Sequence, residues 1–114
     1  MPSSEQGEGA VVMQKYQVLV TDLAKKEIDS IGYYIEEASF PASADRVVFQ
    51  IWKAIVSLDY FPKRGTKIES ATNTWIISVR RYKYYIMYVI DENDKTVSVL
   101  HVIHQHQSLN SFIV

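Results

Sequence analysis

Three extended stretches follow one another between residues 75 and 104, and together they have the pattern of a β-meander. Residues 75–80, 84–90 and 96–104 are rich in β-branched and aromatic side chains, which favour strands. The turn formers of residues 91–95 separate the second stretch from the third, so these two strands are expected to fold back antiparallel. A three-stranded meander needs a cover for its apolar face, and the rest of the chain has to supply it.

The middle stretch of the meander is apolar on both sides of an extended chain. Tyr84, Ile86, Tyr88 and Ile90 alternate with Tyr85, Met87 and Val89. Because successive side chains of a strand point to opposite faces, both faces of this strand are expected to be covered. It is therefore predicted to be the central strand of the sheet.

Two amphipathic helices are predicted upstream of the meander. Thr21 and Asp22 are residue types that cap helix N-termini. Apolar residues then recur at the spacing of a helical stripe, first at Ala24, Ile28, Ile31, Ile35 and Ala38, and again at Ala44, Val47, Val48, Ile51, Ile55 and Leu58. The Phe40-Pro41 pair is expected to end the first helix, and the second is expected over about residues 42–60.

These elements predict an α+β domain with the order β-α-α-β-β-β. A short strand at residues 16–20 is expected to pair beside the last or the central strand of the meander. The sheet would have four strands, mostly antiparallel, with the α-helical hairpin packed on one face. The sheet-facing side of the hairpin is expected to consist of Ile28, Ile31, Ile35, Ile51 and Ile55, with Tyr88 or Met87 receiving them. Residues 62–74 are predicted to be a loop with a short extended piece at 67–69.

Length and composition favour one small domain. The chain has 114 residues, 47% of them hydrophobic, and no cysteine, which excludes disulfides and thiolate chemistry. Residues 1–12 are small and polar and are expected to form a flexible tail, with a single domain over residues 13–114. No apolar run is long enough to span a bilayer, and no signal peptide pattern is present, so we expect a cytoplasmic protein without membrane contact.

The net charge of -1 gives no support for a strong general attraction to nucleic acid. Six cations nevertheless lie between the second predicted helix and the central strand, and they are a weak indication of an anionic partner: Lys63, Arg64, Lys67, Arg80, Arg81 and Lys83. His101, His104 and His106 lie close together in the sequence but have no acidic residue or cysteine beside them, so we expect neither a metal site nor another cofactor.

The chain resembles the RelE/ParE superfamily of toxins from bacterial type II toxin-antitoxin systems, over about residues 15–107. The residues that carry the resemblance run in the family's order: Tyr16-Gln17-Val18, Ala24, Ala44, Leu58, Pro62, Gly65, Arg80, then Tyr84, Ile86 and Tyr88, and finally Val99-Leu100, Val102 and His104. The resemblance implies a RelE/ParE-like fold and a small toxin of a plasmid stabilisation system. It also implies a cognate antitoxin as partner, in a heterotetramer with the toxin or beside a toxin homodimer.

Two mechanisms are implied by the resemblance. ParE-like members are associated with inhibition of DNA gyrase, whereas RelE-like members cleave mRNA on the ribosome as endoribonucleases. A third alternative is a non-toxic relative that only binds the antitoxin. If the nuclease alternative holds, Arg80 would stabilise phosphate charge and His104 would transfer a proton.

The remaining cations could contact nucleic acid or another target, namely Lys63, Arg64, Lys67, Arg81 and Lys83. For the first three a solvated loop is the more common explanation, and a tight turn by itself explains the last two. Gln105-His106-Gln107 follows His104 where many members have an arginine and an aspartate, and the strongly basic balance of the nucleases is missing. These departures favour the ParE-like branch.

Overall fold

The computed structural model describes residues 15–38, 41–79, 81–107 and 112. The flexible tail predicted for residues 1–12, and the domain start at Met13, lie outside these residues. So does Arg80. Neither helix of the described part of the chain is long and apolar enough to cross a membrane.

A mixed sheet forms one layer of the protein. Its strands are β1 (Gln17–Val20), β2 (Thr66–Lys67), β3 (Thr74–Ser78), β4 (Tyr84–Asp91) and β5 (Thr96–His104). They lie in the order β1-β5-β4-β3-β2, with β1 parallel to β5 and the other pairs antiparallel. Of the two positions expected for the first strand, the one beside the last strand is correct.

The predicted sheet had four strands, and the structure has five. The additional strand, β2, is only two residues long and pairs with β3 through Thr66 and Lys67. It begins one residue before the short extended piece expected in the loop. Two residues cannot show an alternating pattern, which is why sequence periodicity did not identify a strand there.

The central strand is β4, as predicted, and it is buried on both faces. Ile86 and Tyr88 are fully buried on the face that joins the main core, and Met87 is 1% exposed on the other face. Tyr88 is therefore the residue that receives the helices.

A β-bulge in β5 changes which side chains face the helices. Tyr88 pairs with Val99 and Met87 pairs with His101, so Leu100 is an extra residue opposite β4. Because a bulge shifts the alternation by one residue, Val99 and Val102 both join the core. The same shift places His104 opposite Tyr84, on the helical side of the sheet.

The helical layer consists of α1 (Asp22–Ala38) and α2 (Pro41–Val56). Thr21 caps α1, since its hydroxyl oxygen accepts a hydrogen bond from the Ala24 N–H at 3.1 Å. Pro41 is the first residue of α2, where a proline loses no helical hydrogen bond. The second helix ends earlier than predicted, because residues 57–59 tighten into a 3-10 turn. A second such turn covers Pro62–Arg64.

The predicted isoleucine stripe packs onto the sheet. Ile28, Ile51 and Ile55 are at most 1% exposed, and Ile31 and Ile35 are half-buried at its edge. Full burial of one such side chain contributes about 1.5–3 kcal/mol. The three isoleucines therefore contribute to the packing of the hairpin on the sheet, together with Ala24 and Val47.

A tyrosine anchors the loop that follows the helices. The Tyr88 hydroxyl donates a hydrogen bond to the Pro62 carbonyl oxygen at 2.6 Å. The loop then passes so close to β3 that a Cβ atom on Gly65 would collide with the Ile76 carbonyl oxygen and lie 2.6 Å from the Tyr88 hydroxyl oxygen. Only glycine fits this approach.

Candidate functional site

A groove of about 680 Å³ lies between α1 and the second half of β5. It forms because β1 pairs with β5 only as far as Val99, and the chain then turns into α1. Leu23, Ile31 and Val102 give the groove an apolar floor. Its polar lining consists of Lys26, Glu27, Ser30, Tyr34, Tyr84, His104, His106 and Gln107.

His104 lies in this groove at the end of β5. Its ring makes an edge contact with Tyr84, with ring centroids 5.2 Å apart, and stacks on His106 at 4.6 Å. Its Nδ1 atom accepts a hydrogen bond from the His106 backbone N–H at 3.1 Å. In the neutral ring this contact favours the tautomer that carries its proton on Nε2.

Glu27 holds the bulge of β5 next to the groove. Its carboxylate accepts a hydrogen bond from the Val102 N–H at 2.9 Å, and its other oxygen lies 3.2 Å from His101 Nδ1. Because β1 pairs with β5 only as far as Val99, it does not reach the Val102 N–H, and Glu27 supplies the acceptor. Sequence reasoning missed this residue, although a carboxylate between Ala24 and Ile28 on the buried side of α1 was a usable signal.

Tyr84 is the other ring that closes this end of the groove. Burial raises the pKa of the Tyr84 hydroxyl, and the neighbouring Tyr34 adds to the effect. Tyr84 therefore stays protonated and can donate a hydrogen bond to a ligand in the groove. It does not act as a base near neutral pH.

The predicted basic cluster is divided between the two ends of the sheet. Lys63 forms an ion pair of 2.8 Å with Glu92, which is the first residue of the turn after β4. The same carboxylate accepts a hydrogen bond from the Tyr16 hydroxyl at 2.6 Å and lies 3.3 Å from Lys95 Nζ. The hydrogen bond from Lys63, followed by that from Tyr16, lowers the pKa of Glu92 to about 2. Glu92 thus joins the turn after β4 to Lys63, in the loop after α2, and to Tyr16, before β1.

Arg64 and Lys67 lie toward the β2 edge of the sheet. The Arg64 guanidinium donates a hydrogen bond to the Ser57 hydroxyl, and Lys67 pairs with Trp75 at the edge strand β2. Because Trp75 pairs with Tyr88 and His104 pairs with Tyr84, Lys67 lies about 13 Å from His104 along the strand direction, with β3 and β4 between them.

Arg81 and Lys83 lie at the other end, close to His104. Both belong to the turn between β3 and β4, and the Lys83 carbonyl oxygen accepts a hydrogen bond from the Gln105 N–H at 2.9 Å. Arg81 has a φ of 74°, a left-handed conformation that costs free energy for a residue with a Cβ atom. Neither residue lines the groove, and Arg81 lines a separate cleft beside α2.

No cluster of three or more His, Cys, Asp or Glu side chains suited to a metal ion occurs among residues 15–38, 41–79, 81–107 and 112. His104 and His106 stack face to face instead of converging on a common point. The lining residues can instead bind a partner through apolar contacts and hydrogen bonds, together with the Lys26 ammonium and the Glu27 carboxylate.

A helical hairpin on a meander, with the first strand parallel to the last, is the architecture of RelE/ParE superfamily toxins. A chain of the chromosomal ParDE system of P. aeruginosa shares 15% identity, with coverage of 79% of this chain and 96% of that chain and a TM-score of 0.69. The isolated E. coli RelE toxin shares 19% identity, with coverage of 85% and 92% and a TM-score of 0.62. These two similarities concern the fold.

A chain of the RelBE2 toxin-antitoxin complex of Mycobacterium tuberculosis shares 26% identity, with coverage of 84% of this chain and 98% of that chain and a TM-score of 0.55. No curated protein sequence matches. The family described as the ParE toxin of the type II toxin-antitoxin system, parDE, matches residues 18–109. The chain belongs to this family of toxins, which confirms the resemblance found in the sequence.

Proposed function

We propose that this protein is the toxin of a type II toxin-antitoxin system, that it inhibits DNA gyrase in the manner of the ParE branch, and that a cognate antitoxin neutralises it. The observation that supports this proposal is the match of the ParE toxin family model to residues 18–109, which include both helices and all five strands except Gln17.

The distribution of cations limits what the nuclease alternative can use. Cleavage of a phosphodiester requires a charge-stabilising cation and a proton-transfer group within hydrogen-bond reach of one phosphate. Lys63 is paired with Glu92 beyond the far end of β4, about 23 Å along that strand from the level of His104, so these two side chains cannot act on the same phosphate. Lys26, in the groove, and Arg81 and Lys83, in the turn at the His104 end of the sheet, are the described cations that the nuclease alternative would use.

The experiment compares two targets with two variants. Purified protein is added to gyrase in a supercoiling assay and to ribosomes programmed with mRNA, as wild type, His104→Ala and His106→Ala. We expect loss of supercoiling activity with all three and intact mRNA throughout. Cleavage of mRNA by the wild type and its loss in His104→Ala would refute the proposal.

A RelE-like endoribonuclease is the second candidate, and a specific observation supports it. The M. tuberculosis RelBE2 chain shares 26% sequence identity with this chain, more than the 15% and 19% shared with the other two structures. The groove beside His104 also contains Tyr84, Glu27 and Lys26, which are proton-transfer and phosphate-binding types. If neither gyrase nor mRNA is affected, the non-toxic antitoxin-binding alternative is favoured.

The antitoxin is expected to bind along the β1 edge of the sheet and into the neighbouring groove. β1 is an outer strand of four residues with Leu19 45% exposed, so it can accept an added strand. The apolar floor of Leu23, Ile31 and Val102 would receive side chains of the same segment. Hydrogen exchange of the complex should show new protection in β1 and α1. Protection confined to β2 and β3 would contradict this placement.

A further inference from the structure

A stripe of exposed residues runs along the solvent side of α2. At 100° per residue, its five members fall within an arc of about 80°. They are Ala42, Asp45, Phe49, Lys53 and Val56, and all are exposed. Phe49 is 63% exposed and Val56 is 60% exposed, so the stripe presents two large apolar side chains to solvent.

The surface on the two sides of Phe49 carries opposite charge. One side is a groove of about 470 Å³ between the helices, whose lining includes Asp29, Glu36 and Asp45. The other is a cleft of about 410 Å³ whose lining includes Arg46, Lys53 and Arg81, with no carboxylate among the lining residues described. Phe49 lines both. We call these the acidic groove and the basic cleft.

The other members of the stripe are spaced equally on the two sides of Phe49. Asp45 precedes Phe49 by four residues and Lys53 follows it by four, each about 6 Å away along the helix axis. Ala42 and Val56 lie seven residues away on either side, about 10.5 Å. A two-fold axis that passes through Phe49, perpendicular to α2, packs the two α2 helices antiparallel. It places the Asp45 of each copy opposite the Lys53 of the other.

We propose that this face of the helical hairpin is a homodimer interface, in which two α2 helices pack antiparallel with Phe49 against Phe49. Each copy contributes the same patch, as a two-fold interface requires. The central contact is apolar, two Asp45–Lys53 pairs flank it, and an Ala42–Val56 contact closes each end. The proposal depends on the fold and not on which target the toxin inhibits.

A second copy fits this face better than nucleic acid or an acidic protein segment. Either of those ligands would be attracted by the basic cleft but repelled by Asp29, Glu36 and Asp45 only one helix turn away. A copy of the same chain presents its Asp45 carboxylate opposite the Lys53 of this chain. Among the described residues, neither Asp45 nor Lys53 has a salt bridge within its own chain.

The size of the face sets the expected strength. With 16 residues, α2 is about 24 Å long, and two packed helices are about 20 Å wide, so each copy would bury about 500 Å². The total of about 1,000 Å² lies at the lower limit of specific interfaces. We therefore expect a weak dimer, with a dissociation constant in the micromolar range or above.

Sedimentation of the full chain without antitoxin tests the proposal. We expect a monomer at nanomolar concentration and a dimer toward hundreds of micromolar, and a weakening of about tenfold or more in Phe49→Ala. Asp45→Lys alone and Lys53→Asp alone should each abolish the dimer, because each produces two like-charge contacts. An equimolar mixture of these two variants should form a heterodimer, and the double variant Asp45→Lys/Lys53→Asp should dimerise again.

The matched controls make the same charge changes on the sheet edge. Glu69→Lys and Lys67→Asp lie in and beside β2, away from the hairpin, and should leave the association unchanged. Circular dichroism should show folded protein in every case, since all altered side chains are exposed. A wild-type protein that stays monomeric at the highest concentration overturns the proposal. So does a dimer that is sensitive to Lys67 but not to Lys53, or a pair of charge variants that does not combine.

Discussion

Removal of the Tyr88 hydroxyl by Tyr88→Phe should destabilise the protein by about 1–2 kcal/mol at neutral pH. Tyr88 is 0% exposed, and its hydroxyl donates to the Pro62 carbonyl oxygen at 2.6 Å. Phenylalanine keeps the ring packed under the helices but leaves that buried acceptor without a partner. The net worth of a hydrogen bond is about 1 kcal/mol, and an unsatisfied buried acceptor costs about 1–3 kcal/mol. For a domain of this size, the melting temperature should fall by about 4–8 °C.

The stability difference between wild type and Tyr88→Phe should decrease at high pH. Burial raises the pKa of Tyr88 to about 12, while the Gly65 backbone and Arg64 oppose this to a smaller extent. The pKa of an unfolded tyrosine is about 10, so the folded state favours the protonated form. This contribution to stability is complete below pH 10 and is lost as the pH rises through 12. A shift of two units corresponds to about 3 kcal/mol.

Wild type and Tyr88→Phe should therefore converge in stability above pH 10, and their order should reverse as the pH approaches 12. Urea denaturation at pH 7, 9, 10.5 and 11.5 measures this difference, and the other tyrosines contribute equally to both proteins. Tyr33→Phe is the matched control, because Tyr33 is 67% exposed and its hydroxyl should have little effect. A loss below about 0.3 kcal/mol at pH 7, or a difference that stays constant with pH, would refute the reasoning.

Three further predictions concern the core, the bulge and the N-terminal boundary. Ile51→Ala should cost about 2–5 kcal/mol in urea denaturation, because Ile51 is 0% exposed between the helices and the sheet; a cost below about 0.5 kcal/mol would place it outside the core. Glu27→Ala should lower the free energy of unfolding by about 1–3 kcal/mol, because it leaves the Val102 N–H unpaired. Glu27→Gln keeps an acceptor and should lower it clearly less. Equal losses in the two variants would argue against the hydrogen bond to the bulge. A chain that starts at Met13 should keep its stability within about 1 kcal/mol, and a larger loss would move the domain boundary toward the N-terminus.

The groove and the hairpin face divide the surface of the toxin between two roles. The groove lies between α1 and β5 and is proposed for the antitoxin, whereas the stripe around Phe49 is on the solvent side of α2 and is proposed for a second copy. The two surfaces share no lining residue. A toxin dimer could therefore remain associated while each copy carries an antitoxin segment.

The local elements and the family were accessible from the sequence. Alternation along residues 84–90 identified the central strand, and spacings of three and four identified both helices and the isoleucines that cover it. These signals arise between residues only two to four positions apart, because the side-chain periods of strands and helices are that short. Proline and glycine positions added the breaks between elements.

The relations between distant segments were decided only by the tertiary structure. The bulge at Leu100 reverses the alternation of β5 and brings His104 to the helical side, and Glu27 stabilises it from 75 positions away in the chain. Lys63, which looked like a member of one basic cluster, is paired with Glu92 at the opposite end of β4 from His104. The periodicity of apolar residues in the sequence does not predict such contacts, since they depend on strand register and on the packing of the hairpin against the sheet. Sequence spacing could therefore define the elements, whereas packing determined which charged and titratable groups lie together.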